Sequence, residues 1–195
     1  MKACARTVLS LVLACAVANA AAAAAKIDAG DLMQMLASVD RVTARFVETR
    51  TSALLSAPLV LQGTLVYRRP DHLEKHVLTP YEERMVIDGG RLTLEKPGES
   101  RKKTLAIANA PGVAALVESI RATRAGDLAT LQRYYTLALE GDRAQWTLTL
   151  RPLDPQLAAL VRSVVIAGAE ARIVRVSVEE TAGDRSVMEI SEQPR

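Results

Sequence analysis

The sequence predicts an α+β domain: a curved antiparallel sheet whose apolar concave face is covered by helices. Nine or ten short stretches alternate apolar and polar residues, and Gly, Pro and Asp-Gly signals separate them. The helical stretches stand apart, one at the front and one or two in the middle, and no strand-helix-strand unit repeats, which argues against a parallel sheet. The composition agrees: 195 residues with 49% hydrophobic and 24% charged residues make one globular domain. Aromatic residues are only 3% and the formal net charge is +3, so neither stacking platforms nor a phosphate-tracking surface is on offer, and no nucleic-acid partner is expected.

The N-terminus reads as an export signal. Lys2 and Arg6 precede an uncharged run from Thr7 to Ala18, and Ala18-Asn19-Ala20 has the small-x-small form that signal peptidase cuts. Residues 1–20 are therefore read as a signal peptide, the cut lying between 20 and about 25 because of the Ala20–Ala25 run, and residues 21–195 as a single domain. Both cysteines, Cys4 and Cys15, fall in the presequence, so the mature chain has no thiol chemistry and rests on its core alone. Val12-Leu13-Ala14-Cys15 loosely matches a lipidation signal, which keeps a lipid-anchored form as an alternative.

Asp28 caps a helix to Asp40 with Leu32, Met33, Leu36 and Val39 on one face. Alternation then takes over, with Val42, Ala44 and Phe46 on one face of the first strand. In the second, Leu59, Leu61, Leu65 and Tyr67 share a face, with Gly63 in the middle where a curved sheet needs to bend. Leu73–Leu78 is the next strand; Glu83–Ile87 and Arg91–Lys96 form a hairpin around Asp88-Gly89-Gly90. Pro97-Gly98 turns into Arg101–Ile107. Pro111 opens a helix to Ala125 with Val113, Leu116, Val117 and Ile120 along a narrow apolar stripe, and Asp127–Arg133 is a shorter one. Strands resume with Tyr135, Leu137 and Leu139, then Trp146, Leu148 and Leu150, joined at Gly141-Asp142. Val164–Ala167, Ile173–Glu179 and Ser186–Ser191 complete the series, with turns at Gly168 and Gly183-Asp184.

No nucleophile elbow, metalloprotease helix or phosphate loop is present. His72 and His76 on one strand stand about 13 Å apart at ~3.3 Å per residue, too far to share an ion. Neither metal, cofactor nor enzymatic activity is expected. The basic run Arg101-Lys102-Lys103 reads as a solvated edge. Arg69 stands out because it shares parity with Leu59, Leu61, Leu65 and Tyr67 and so ends an apolar face. Two readings are open for it: a guanidinium reaching carbonyls or a carboxylate on an element lying across the sheet, or a rim arginine paired with Asp71 or Glu74. A curved sheet with an apolar concave face is a container, suited to acyl chains. Its expected lining is Phe46, Leu59, Leu61, Leu65, Tyr67, Val113, Leu116, Val117, Ile120, Trp146 and Leu148.

Ala44-Arg45-Phe46, Leu61-Gln62-Gly63-Thr64-Leu65, Arg69-Pro70-Asp71, Pro80 and Asp88-Gly89 occur in an order and at spacings similar to those of the periplasmic outer-membrane lipoprotein carrier (LolA-like) family, over residues 28 to 98. The resemblance implies a half-open β-barrel with helices as a lid. It implies a periplasmic shuttle that shelters acyl chains between an inner-membrane exporter and an outer-membrane acceptor, working as a monomer. It also implies that Arg69 latches the lid. Where family members carry aromatic residues, this chain reads His72-Leu73-Glu74-Lys75-His76 and Arg91-Leu92-Thr93-Leu94-Glu95, and Glu48 stands where Gln is common, so the resemblance implies a more aliphatic, partly charged cavity. Alternatives on the same fold are a lipid-anchored acceptor, a periplasmic sensor, and a specialised carrier for a non-lipoprotein lipid.

Overall fold

The computed structural model describes residues 26–97, 102–107 and 111–192, without the side chains of residues 111–116 and 118. The expected signal peptide, both cysteines, Gly98 and Arg101 lie outside the described residues, as do the side chains of Val113 and Leu116.

Helix α1 (Ala29–Ala37) is capped by Asp28, whose carboxylate accepts from the Asp31 amide at 2.7 Å, and it buries Leu32, Met33 and Leu36. Strand β1 (Arg41–Thr51) alternates strictly, burying Val42, Ala44, Phe46 and also Glu48. Strands β2 (Leu59–Arg68), β3 (His72–Thr79), β4 (Glu83–Asp88), β5 (Arg91–Glu95) and β6 (Lys103–Ala106) follow as successive antiparallel neighbours. Helices α2 (Pro111–Ala125) and α3 (Leu128–Tyr134) come next. The chain then runs through β7 (Tyr135–Gly141), β8 (Trp146–Pro152), a one-turn helix α4 (Pro155–Ala158), β9 (Val161–Ala169), β10 (Arg172–Glu180) and β11 (Arg185–Glu192).

Among the described residues these form one eleven-stranded sheet, in the order β6-β5-β4-β3-β2-β1-β11-β10-β9-β8-β7. One wing grows outward from β1 to β6. The chain then crosses through α2 and α3 to the far edge and builds the second wing back from β7 to β11, which pairs with β1 from Ala44↔Glu192 to Thr51↔Arg185. Strands β6 and β7 remain as separate edges, so the barrel is unclosed. This is the expected α+β fold with a curved antiparallel sheet.

Two glycines permit the curvature. A Cβ on Gly63 would collide with the His76 carbonyl oxygen and stand 2.9 Å from the Phe46 ring, at a point where the β2–β3 register shifts. Gly168 is not the expected turn: it lies inside β9, and a side chain there would collide with the Trp146 indole, which packs flat on its backbone. The turn comes two residues later, where Glu170 takes a positive φ of 52° and its carbonyl accepts from Trp146 Nε1 at 2.8 Å.

The concave face divides in two. Over the β7–β10 wing, α1, α3 and α4 fill the space, and Leu32, Leu36, Leu131, Trp146, Leu148, Leu150 and Leu157 form the main core. Over the β1–β5 wing the packing is thinner. Phe46, Leu61 and Val77 make one small cluster, and Ile87, Leu92, Ile107 and Val117 another. Between these clusters and the main core the face is open.

Candidate functional site

The open part of the concave face is a cavity of about 250 Å³. Its floor is the middle of the sheet, with Val42 and Ala44 from β1, Leu65 and Tyr67 from β2, Met188 and Ile190 from β11, and Val176 and Val178 from β10. Ile120 and Arg124 of α2 close it from above. Strict alternation on β1 and β2 aims these side chains inward, and the register sets Tyr67 opposite Val42 and Leu65 opposite Ala44.

Charged groups bound the apolar lining at both ends. At one end, Glu48 is almost fully buried and its carboxylate is saturated. Its Oε1 accepts from Arg50 Nε at 2.8 Å and from Ser186 Oγ at 2.7 Å, and its Oε2 takes the Lys75 ammonium. Lys75 Nζ also stands 5.0 Å from the centre of the Phe46 ring. Burial alone would raise the Glu48 carboxyl. The Arg50 hydrogen bond, the Lys75 charge and hydrogen bond and the Ser186 hydroxyl outweigh it and hold the group below its usual range.

At the other end lie Tyr67 and Arg124. Arg124 is 7% exposed; its Nη2 donates to Glu192 Oε1 at 3.3 Å and its Cζ stands 5.9 Å from the Tyr67 ring centre. Burial is the main influence on both groups, pushing the Tyr67 phenol up and the Arg124 guanidinium down.

Outside the cavity, Arg69 stands in the turn directly after β2. Its guanidinium donates to the Ala37 carbonyl, at the C-terminus of α1, and stands 3.8 Å from Asp40; its own amide donates to the Asp40 carbonyl at 2.9 Å. Its partners are thus on a helix lying across the sheet and not Asp71 or Glu74, the latter being held by Arg84 at 2.8 and 2.9 Å. The helix it reaches is α1, at the end where a cation complements the helix dipole.

A family model described as outer membrane lipoprotein carrier protein LolA-like matches residues 20–189. The chain belongs to that family. Several solved structures match it at low identity. A LolA superfamily protein from Nitrosomonas europaea is 12% identical with a TM-score of 0.48, the match covering 87% of this chain and 94% of that one. In the Pseudomonas aeruginosa MucA/MucB complex the matching chain is 16% identical with a TM-score of 0.45, over 87% of this chain and 59% of that chain. LprF from Mycobacterium bovis is 10% identical with a TM-score of 0.35, over 84% and 91%. No curated protein matches the chain.

Of the lining expected for this LolA-like chain, Leu65, Tyr67 and Ile120 stand in the cavity wall. Phe46, Leu59 and Leu61 share the inward face but pack with Val77 beside it. Val117 packs against Ile87, Leu92 and Ile107 under the β4–β6 edge. Trp146 and Leu148 belong to the filled wing, where α1 and its neighbours leave no space. His72 and His76 face the sheet rim, paired with Asp88 at 3.2 Å and Glu82 at 3.1 Å.

Glu48, Lys75 and Arg124 also stand in the cavity wall, in line with the partly charged cavity expected from Glu48 and the Lys75 stretch, and Glu48 and Arg124 each extend an apolar pattern. Glu48 continues the alternation Val42, Ala44, Phe46. Arg124 falls seven residues after Val117 and four after Ile120, on the same helical stripe. A charge in register with an apolar run is the signal that locates them.

Proposed function

We propose that this protein is a periplasmic lipid or lipoprotein carrier that shelters acyl chains in the cavity under α2 during transfer from the inner to the outer membrane. The observation that carries the reading is the apolar cavity between the mid-sheet and Ile120 of α2, in a chain of the LolA-like family. At about 250 Å³ it lies just under the ~300–1,000 Å³ of ordinary ligand sites, so one chain segment fits as it stands and larger cargo requires α2 to move. The role is binding rather than catalysis. The implied partners are an acyl-chain ligand, an inner-membrane exporter and an outer-membrane acceptor, with the carrier itself monomeric.

Native mass spectrometry of protein purified from the periplasm tests the reading. Adducts of lipid mass support it. Protein that is always empty, and that takes up no labelled lipid from vesicles, overturns it.

A further inference from the structure

Two buried polar atoms in the cavity wall have no hydrogen-bond partner: Arg124 Nη1 and the Tyr67 hydroxyl. Buried donors of this kind are rare in native structures and costly to leave unmade, the more so on a charged group. They occur together, at one end of an otherwise apolar cavity. Arg69 and Arg124 both act on the Tyr67 phenol, each with one carboxylate beside it, Asp40 and Glu192 respectively. The Glu192 carboxylate occupies Arg124 Nη2 and leaves Nη1 without a partner. Arginine holds its charge under all ordinary conditions, and a phenol held protonated by burial is a neutral donor. The opposite end differs in kind, because the Glu48 oxygens there already take up Arg50, Ser186 and Lys75.

We propose that the cavity binds an acyl-chain amphiphile with an anionic oxygen head, a carboxylate or a phosphate, that accepts hydrogen bonds from Arg124 Nη1 and the Tyr67 hydroxyl while its chain runs along the mid-sheet toward Met188. This rests on the carrier reading and narrows its ligand class. An oxyacid head satisfies both orphan donors at once and makes a charge-assisted hydrogen bond with Arg124. A neutral ester or an alcohol brings no charge to Arg124. From Val42, opposite Tyr67, to Glu48 is about 20 Å of strand at ~3.3 Å per residue, and the floor between is apolar.

The test is fluorescence titration of the full-length mature protein with cis-parinaric acid and with its methyl ester, which differ only in the head. Wild type should bind the acid at least ~10-fold more tightly, the ratio that one charge-assisted hydrogen bond supports. Arg124→Gln should bring the two affinities together, and Tyr67→Phe should narrow the gap. Displacement of the probe by oleate against oleoyl lysophosphatidic acid then tells whether carboxylate or phosphate heads are preferred. Equal affinity of wild type for acid and ester overturns the anionic head and leaves the carrier reading standing. Binding of neither probe, with no lipid on the purified protein, removes the carrier reading and this one with it. A preference that survives Arg124→Gln but vanishes in Lys75→Gln moves the head to the other end and overturns the assignment. Should Arg124→Gln fail to fold, the wild-type ratio and Tyr67→Phe still decide the matter.

Discussion

Arg69 ties the turn after β2 to the last carbonyl of α1. Its side chain is about two-fifths exposed, so the bond is worth about 1 kcal/mol rather than the larger figure of a buried charged pair. Arg69→Leu should therefore loosen α1 without unfolding the domain. Amide exchange across residues 29–37 should quicken, because α1 loses its tie to the turn after β2. Arg69→Lys should be intermediate, keeping the charge but not the planar fork; equal behaviour of all three proteins would leave Arg69 as surface charge. Glu48 is a different case, since it is buried and the side chain of its partner Lys75 is only 15% exposed. Glu48→Gln should cost about 3–5 kcal/mol at neutral pH, because Lys75 is left without a counterion. The Glu48 pKa is lowered on folding, so its contribution is complete above the unfolded value of ~4.3 and drains away as pH falls through the lower folded one. Melting curves of wild type and Glu48→Gln should thus converge below about pH 4; a constant gap would show that the carboxylate is not what Lys75 requires.

Helix α2 is more deeply set than its narrow stripe predicts. From Val117 to Arg124 it is enclosed on three sides: Ala122 faces the main core, Val117 the β4–β6 edge, and Ile120 and Arg124 the cavity. A lipid ligand should still register there, and amide exchange over residues 117–125 should slow when one is added; identical protection with and without it would make α2 a fixed wall. On β2, Leu65→Asp puts an unpaired charge into the cavity floor and should abolish lipid uptake or cost several kcal/mol of stability. If neither changes, the face is misassigned. Periodicity made these elements legible because it is a local property: β1 and β2 turn the expected faces inward, and α2 spans the expected residues. What covers a face is non-local, which is why Trp146 and Leu148 read as cavity lining although α1 and α3 pack over them. Helix α4 had a local signal that the sequence reading passed over: Asp154-Pro155, a cap whose carboxylate accepts from the Gln156 and Leu157 amides at 2.9 Å, ahead of a proline suited to the first turn. Gly168 misled for the opposite reason, since its partner is the Trp146 ring across the sheet rather than a turn.

At the scale of the whole molecule, the family resemblance in residues 28 to 98 covers the wing that carries the β1 and β2 part of the cavity floor, and the second wing, with the β10 and β11 part, was visible only as strand order. The two wings meet where β1 pairs with β11, Ala44 with Glu192 and Arg50 with Ser186. Most other strand pairs are neighbours in sequence, so each wing forms from local hairpins, but this seam joins residues far apart along the chain. Folds that depend on such distant pairings are slow, on the order of milliseconds to seconds. Refolding followed by the single Trp146, which reports the second wing, should therefore run ahead of refolding followed by protection of the β1 amides. Coincident kinetics would mean that the wings do not form separately. Until β11 arrives, β1 presents a bare hydrogen-bonding edge, and the greasy hollow behind it lacks its far side. A chain that folds from its early residues onward thus spends its most adhesive moments with the middle of its sheet missing, and the interval in which a protease or a sticky neighbour can seize it is set by how quickly its late residues reach its early ones.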